Sequence, residues 1–149
     1  MSITQQLKRA EQLCEQRGVR FTPTRRHVFA LMAEHKGAVS AYELLDQLKE
    51  LEPSAKPPTV YRALDFLLAQ GFVHKVESLN AFLFCDHFAE HHPMQLLICT
   101  QCGEVIELHD EAINRAFEHQ AELHGFAITS QSIEAHGRCR RCRGESAGS

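Results

Sequence analysis

Apolar positions recur at helical spacing along residues 3–70. Residues 3–17 place Ile3, Leu7, Ala10 and Cys14 on one stripe, and Gly18 follows as a stop. In FTPTRRHVFALMAEH, Thr22 suits an N-cap and Pro23 a first helical turn, with Val28, Leu31 and Met32 facing a core. SAYELLDQLKEL opens with Ser40 and carries Glu43 three residues on, a capping box. Leu44, Leu45, Leu48 and Leu51 form its apolar face. In EPSAKPPTVYRALDFLLAQG the prolines set a helix start near Pro58 or Thr59. Val60, Ala63, Leu64, Leu67 and Leu68 point inward, and Gly71 closes the helix. Tyr61, Arg62 and Asp65 fall on the opposite face.

After Gly71 the period changes. FVHKVE alternates, with Phe72, His74 and Val76 on one face and Val73, Lys75 and Glu77 on the other. Ser78-Leu79-Asn80 suits a turn, and AFLFC returns as a second strand. Helices followed by a hairpin predict a winged helix-turn-helix, whose last helix enters a major groove. Tyr61 can contact a thymine methyl there, and Arg62 a guanine edge or a phosphate. Lys56 and Arg26 suit phosphates, which position without specifying. An exposed Tyr-Arg pair on a helix is also ordinary surface.

Farther on, Val105–Leu108 reads as a strand. DEAINRAFEHQAELHG reads as a helix with Ile113, Ala116, Phe117, Gln120 and Leu123 on one stripe, and FAITSQSIEAH as a returning strand. The chain is therefore expected to be α+β, an N-terminal winged helix-turn-helix domain followed by a small α/β dimerisation domain with a four-cysteine zinc site. The expected boundaries are 1–85 for the DNA-binding domain, 86–94 for a hinge and 95–149 for the α/β domain. So small an α/β unit buries too little to stand alone. A strand edge at 127–135 could pair with its copy, which makes a homodimer the expected state.

Charge sharpens this division. Residues 1–76 carry 11 Lys+Arg against 8 Asp+Glu, and residues 77–149 carry 5 against 11. Such asymmetry suits a nucleic-acid-facing half and a different task for the other, although both could be plain solvated surface. Seven of the ten histidines and five of the six cysteines lie in the second part. No apolar run is long enough to cross a bilayer, and the start lacks the apolar centre of a secretory signal, so the expected location is the cytoplasm. In a reducing compartment, cysteines at this density favour metal binding or redox chemistry over structural disulfides.

The cysteine spacing selects metal. LLICTQCGEVIEL holds Cys99 and Cys102, and GRCRRCRG holds Cys139 and Cys142. Two Cys-x-x-Cys turns supply four thiolates to a tetrahedral structural zinc, and a thiol redox pair is the competing reading. His74, Cys85, His91, His92 and Glu107 remain as donors for a second site. Taken singly each is dull: a cysteine after FLF is commonly a small core hydrophobe, and His-His in a linker is commonly exposed. Together, sulfur and nitrogen donors with one carboxylate suit zinc better than iron or manganese. A catalytic zinc needs an open water position beside a free base, and no such motif is present, so no enzyme is expected.

PPTVYRALDFL, GFVHKVES, CTQCGEVIE and IEAHGRCRRC, in this order, resemble the ferric uptake regulator family and, within it, the zinc uptake regulator branch. The resemblance implies a homodimeric, metal-dependent transcription factor, usually a repressor, acting on a pseudo-palindromic operator in double-stranded DNA. It implies two zincs per chain. Structural zinc falls to Cys99, Cys102, Cys139 and Cys142, and sensing zinc to His74, Cys85, His92 and Glu107, with His91 the alternative to its neighbour. It implies DNA contact by Tyr61 and Arg62, with Tyr42 as a second reader. Lys56 and Thr59, at the start of the helix that carries Tyr61, are further expected contacts. Many relatives carry a third site just before the first knuckle. Here that segment is Pro93-Met94-Gln95, and only His87, His109 and His124 remain for it. Related sensors of iron, manganese or peroxide are the alternative within the family.

Overall fold

The computed structural model describes residues 2–35, 37–85, 88, 93–129 and 131–144. Its contacts divide the chain into two units, Met1–Glu90 and His91–Ser149.

In the first unit, α1 (Ile3–Arg17) starts at a reciprocal capping box between Ser2 and Gln5 and ends at Gly18, whose φ of 69° is the left-handed conformation that a C-cap glycine supplies without strain. Next, α2 (Pro23–Glu34) begins with Pro23 behind the Thr22 N-cap. Ser40 caps α3 (Ala41–Leu51) by accepting the N–H of Glu43. The fourth helix, α4 (Pro57–Ala69), starts at Pro57, slightly earlier than the proline pattern predicts. Both prolines fit because the first helical N–H groups have no intrahelical acceptor. The four helices bury Ala10, Val28, Phe29, Met32, Leu44, Leu48, Val60, Leu64 and Leu67 almost completely.

The hairpin pairs β1 (Val73–Val76) with β2 (Ala81–Phe84) antiparallel, His74 opposite Leu83. A short 3₁₀ turn, Glu77–Leu79, and Asn80 at φ 48° reverse the chain. The predicted strict alternation does not hold, because Val73 and Val76 are both buried. A third segment borders the hairpin: Val39 and Phe82 exchange backbone hydrogen bonds of 2.9 and 2.8 Å. Cys85 N–H donates to the Phe72 carbonyl at 3.0 Å and extends the ladder past β2. An aromatic cluster fills the space behind the wing. Phe29 meets Phe21, Phe72, Phe84 and Phe88 edge-on, at centroid distances of 5.2–5.8 Å.

In the second unit, β3 (Met94–Cys99) is the central strand of a three-stranded sheet. It pairs antiparallel with β4 (Val105–Leu108) and parallel with β5 (Ser132–Gly137), in the order β4-β3-β5. The expected returning strand is shorter than the span 126–136: β5 begins at Ser132, just after Gln131, whose carbonyl accepts the Met94 N–H at 3.3 Å. The edge expected at 127–135 is accordingly a strand only from Ser132 onward. Asp110 caps α5 (Glu111–Leu123) by accepting the N–H of Ala112. Gln95 is 2% exposed and ties β3 to this helix start. Its amide donates to Asn114 Oδ1 at 2.7 Å and to the Asp110 carbonyl at 3.2 Å, and its oxygen accepts the Asp110 N–H. No residue of α5 is buried within the chain.

Among the described residues, no helix is long and apolar enough to cross a membrane.

Candidate metal centres and nucleic-acid face

Cys99 ends β3, and Gly103, at φ 80°, lets the chain turn back into β4. The parallel register then delivers the second knuckle beside the first. Cys99 lies opposite Gly137, and Thr100 N–H donates to the Gly137 carbonyl at 2.8 Å. The sulfurs of Cys99, Cys102, Cys139 and Cys142 all lie within 4.8 Å of one another. Cys102 and Cys139, one from each turn, are 3.8 Å apart. A tetrahedral zinc with Zn–S bonds of about 2.3 Å requires sulfur–sulfur edges of about 3.8 Å. The donor set therefore fits zinc in number, chemistry and spacing.

The protonation of these thiols points the same way. The Cys102 N–H, 3.4 Å from the Cys99 sulfur, lowers the Cys99 pKa to about 6. Cys142 is pushed up to about 12, first by its hydrogen bond with Cys139. Four thiols this close compete for negative charge, and a divalent cation among them removes the conflict.

The other candidate ligands distribute as follows. His74 is on β1 and Cys85 follows β2. Their ligand atoms lie within 4.8 Å of one another, near enough to converge on one zinc, whose tetrahedral N···S edge is about 3.6 Å. Cys85 is 1% exposed and belongs to the apolar core of the first unit, so it also fills the small-hydrophobe role. Glu107 is on β4, with Oε1 3.9 Å from His109 Nε2. The calls on His91, His92 and His87 lie outside the described residues. Among those described, His109 and His124 join no metal-ligand cluster. Gln95, in the segment where relatives place a third site, is a clamp between β3 and α5.

The candidate DNA residues fall at the starts of α3 and α4. Tyr42, in the first turn of α3, is 76% exposed, and Tyr61 on α4 is 52% exposed, a large departure from how tyrosines usually sit. Arg62 and Lys56 are exposed beside it. Thr59 is half-buried, and its Oγ1 accepts the Lys56 N–H at 3.1 Å, so it also caps α4. Arg26 is engaged elsewhere: it pairs with Glu11 at 3.2 Å and lies over the Phe21 ring. Arg25 stacks on Phe66 at 3.9 Å and donates to the Arg20 carbonyl.

A winged helix-turn-helix joined to a sheet that closes on four cysteines defines a class, the DNA-binding regulators with a metal-holding second unit. The chain belongs to the ferric uptake regulator family, whose model matches residues 16–136. That family is one of regulators, and the chain is a regulator rather than an enzyme. It is 52% identical to the zinc uptake regulation protein of Escherichia coli (strain K12) over 137 residues, 91% of this chain and 80% of that protein. It is 32% identical to the zinc uptake regulation protein of Mycobacterium tuberculosis (strain H37Rv) over 126 residues, 85% of this chain and 96% of that protein. A solved zinc uptake regulator complexed with zinc and DNA superposes with a TM-score of 0.88 at 49% identity, covering 97% of each chain. Zinc is the metal these findings attach to the fold.

Proposed function

We propose that this chain is a zinc-responsive, homodimeric transcriptional repressor that controls zinc uptake and homeostasis genes from the cytoplasm. It binds a pseudo-palindromic operator when zinc fills a sensing site. Two zincs are bound per chain. Cys99, Cys102, Cys139 and Cys142 hold the structural one, and His74, Cys85, His92 and Glu107 the sensing one.

The observation that carries the reading is the Cys85 thiol placed within 4.8 Å of the His74 ring at the base of the wing. Sulfur and imidazole together suit zinc, whereas an iron or manganese sensor favours more oxygen donors. Bound zinc supplies a four-coordinate tie among donors from the wing, the linker and β4. His74 and Cys85 fix the wing end of that tie, and Glu107 neutralises charge at the other. Tyr42, Tyr61 and Arg62 read base edges, while Lys56 and the N-terminal turn of α4 hold phosphates. With both protomers held, their recognition helices meet successive major grooves about 34–36 Å apart. Moving the binding-competent arrangement from rare to dominant needs roughly 5.5 kcal/mol of differential zinc affinity. Coupling is reciprocal, so operator DNA tightens sensing zinc by the same factor.

The test is Cys85→Ser, with zinc stoichiometry and operator affinity measured with Zn(II), Fe(II) and Mn(II). The variant should keep its structural zinc and its dimeric state, while zinc-dependent operator binding falls by 100-fold or more, about 2.7 kcal/mol. Unchanged zinc-dependent binding sinks the assignment. Stronger operator binding with Fe(II) or Mn(II) than with Zn(II) in the unmodified protein favours the iron- or manganese-sensing alternative.

A further inference from the structure

β4 is an edge strand of four residues, with β3 as its partner in the sheet. Its last backbone pair sets Leu108 opposite Gln95, and Glu107 lies one step earlier, opposite Leu96. A carboxylate so near the end of a short edge strand frays with it unless the chain is fastened beyond. The Gln95 side chain does the fastening. The Asp110 N–H donates to Gln95 Oε1 at 3.2 Å, and Gln95 Nε2 donates to the Asp110 carbonyl at 3.2 Å. A carboxamide offers the same donor and acceptor as a peptide group. Gln95 thus continues the β3–β4 ladder after its backbone pairing has ended.

The second amide hydrogen is used as well. Gln95 Nε2 donates to Asn114 Oδ1 at 2.7 Å, and Gln131 Nε2 donates to the same oxygen at 3.5 Å. Only one orientation of the Gln95 amide satisfies this set, because the reverse would turn its NH₂ group toward the Asp110 N–H. An apolar side chain would fill the buried position without desolvating an amide. It could not hold Asp110 and the first turn of α5 to one register on β3.

We propose that Gln95 is a positioning residue for Glu107: by pairing with both backbone groups of Asp110 and bracing Asn114, it fixes the end of β4 and presents the Glu107 carboxylate to the sensing zinc in one place. This rests on reading Glu107 as a sensing ligand. Gln95 acts through Glu107 and is not itself a ligand.

The experiment uses the full-length protein with zinc on its four cysteines. A chromophoric chelator measures the affinity for the second zinc in the unmodified chain, in Gln95→Met, Asn114→Ala and Glu107→Ala, and in each of the first two combined with Glu107→Ala. Methionine keeps the length of the glutamine side chain and loses its hydrogen bonds. Gln95→Met should bind the second zinc about 10-fold more weakly and keep the cysteine zinc unchanged. Its Asp110 amide should exchange hydrogen faster even before the second zinc is added. Asn114→Ala leaves the Asp110 pairing in place and should lose less. Combined with Glu107→Ala, neither should weaken the second zinc further, because the clamp works through that carboxylate. Unchanged affinity for the second zinc in Gln95→Met overturns the inference. The same loss with and without Glu107 also overturns it, since that marks a general effect on the fold. If Gln95→Met does not fold, Asn114→Ala decides by the same comparison. Undiminished affinity for the second zinc in Glu107→Ala would overturn the parent reading, and this inference with it.

Discussion

Glu52, just past α3, is gripped from α2 by two side chains: Thr24 Oγ1 donates to one carboxylate oxygen at 2.8 Å, and His27 Nδ1 lies 2.8 Å from the other. The hydrogen bond to His27, with Thr24 adding to it, holds the Glu52 carboxyl below its ordinary pKa. A lowered folded-state pKa means that Glu52 contributes stability above the ordinary glutamate range. That contribution fades as pH falls through the lowered value. Glu52→Gln should therefore cost about 1 kcal/mol at pH 7, modest because the side chain keeps some solvent contact. The difference in urea midpoint between the two proteins should shrink as pH falls toward 3. A difference that persists at low pH would mean that packing, not the carboxylate, holds the two helices. This clamp was illegible in the sequence, where His27 and Glu52 stand 25 positions apart and carry no shared pattern. Gln95 was illegible for a related reason. A lone glutamine in an apolar run gives no sign that its amide will satisfy a helix start. The caps at Thr22, Pro23 and Ser40, by contrast, are local chemistry and were readable directly.

At the scale of elements, the second unit depends on its knuckles more than on its core. The six-residue parallel pairing of β3 with β5 runs from Met94 opposite Ser132 to Cys99 opposite Gly137, and ends where the cysteines begin. The four-cysteine closure and the Thr100–Gly137 bonds hold that end together. Removing one ligand should thus free the sheet as well as the metal, because binding and folding are linked in such units. In Cys102→Ser, zinc should leave the knuckles, and amide hydrogen exchange should accelerate across 94–99 and 132–137. Amides of α2 and α4 should keep their protection, since their packing lies in the first unit. Unchanged exchange in β5 would show that the sheet stands without the metal. The knuckle spacing was legible because Cys-x-x-Cys leaves few other chemistries. The strand limits were not. The ladder begins at Ser132 although the apolar pattern starts at Phe126, since a strand exists only where β3 offers it a partner.

For the whole molecule, the decisive feature is an amphipathic helix, α5, none of whose residues is buried among the described residues. The stripe predicted on α5 is real, yet Phe117 remains 47% exposed and Leu123 65%, with Phe126 beyond the helix at 69%. Leu97 and Ile106 on the sheet are also more than two-fifths exposed. Apolar surface at this density on one small unit is what a second copy of the chain would cover. Each large side chain so buried contributes about 1.5–3 kcal/mol. Placing charge at two of them, Leu123→Asp with Phe126→Asp, should turn a dimer into a monomer at micromolar concentration, measured by sedimentation. The helix-turn-helix, whose core lies wholly in the first unit, should keep its fold and its unfolding midpoint. Operator binding separates two accounts of what the dimer does. If two protomers must engage successive major grooves together, the variant should lose at least 100-fold in affinity for the full operator. It should then bind a half-site as well as it binds the whole, because the gain from linking two sites is an effective concentration rather than a new contact. A variant that stays dimeric would put the interface elsewhere on the second unit. One that is monomeric yet retains full operator affinity would show that a single recognition helix suffices, and the proposed two-groove mechanism would fail with it.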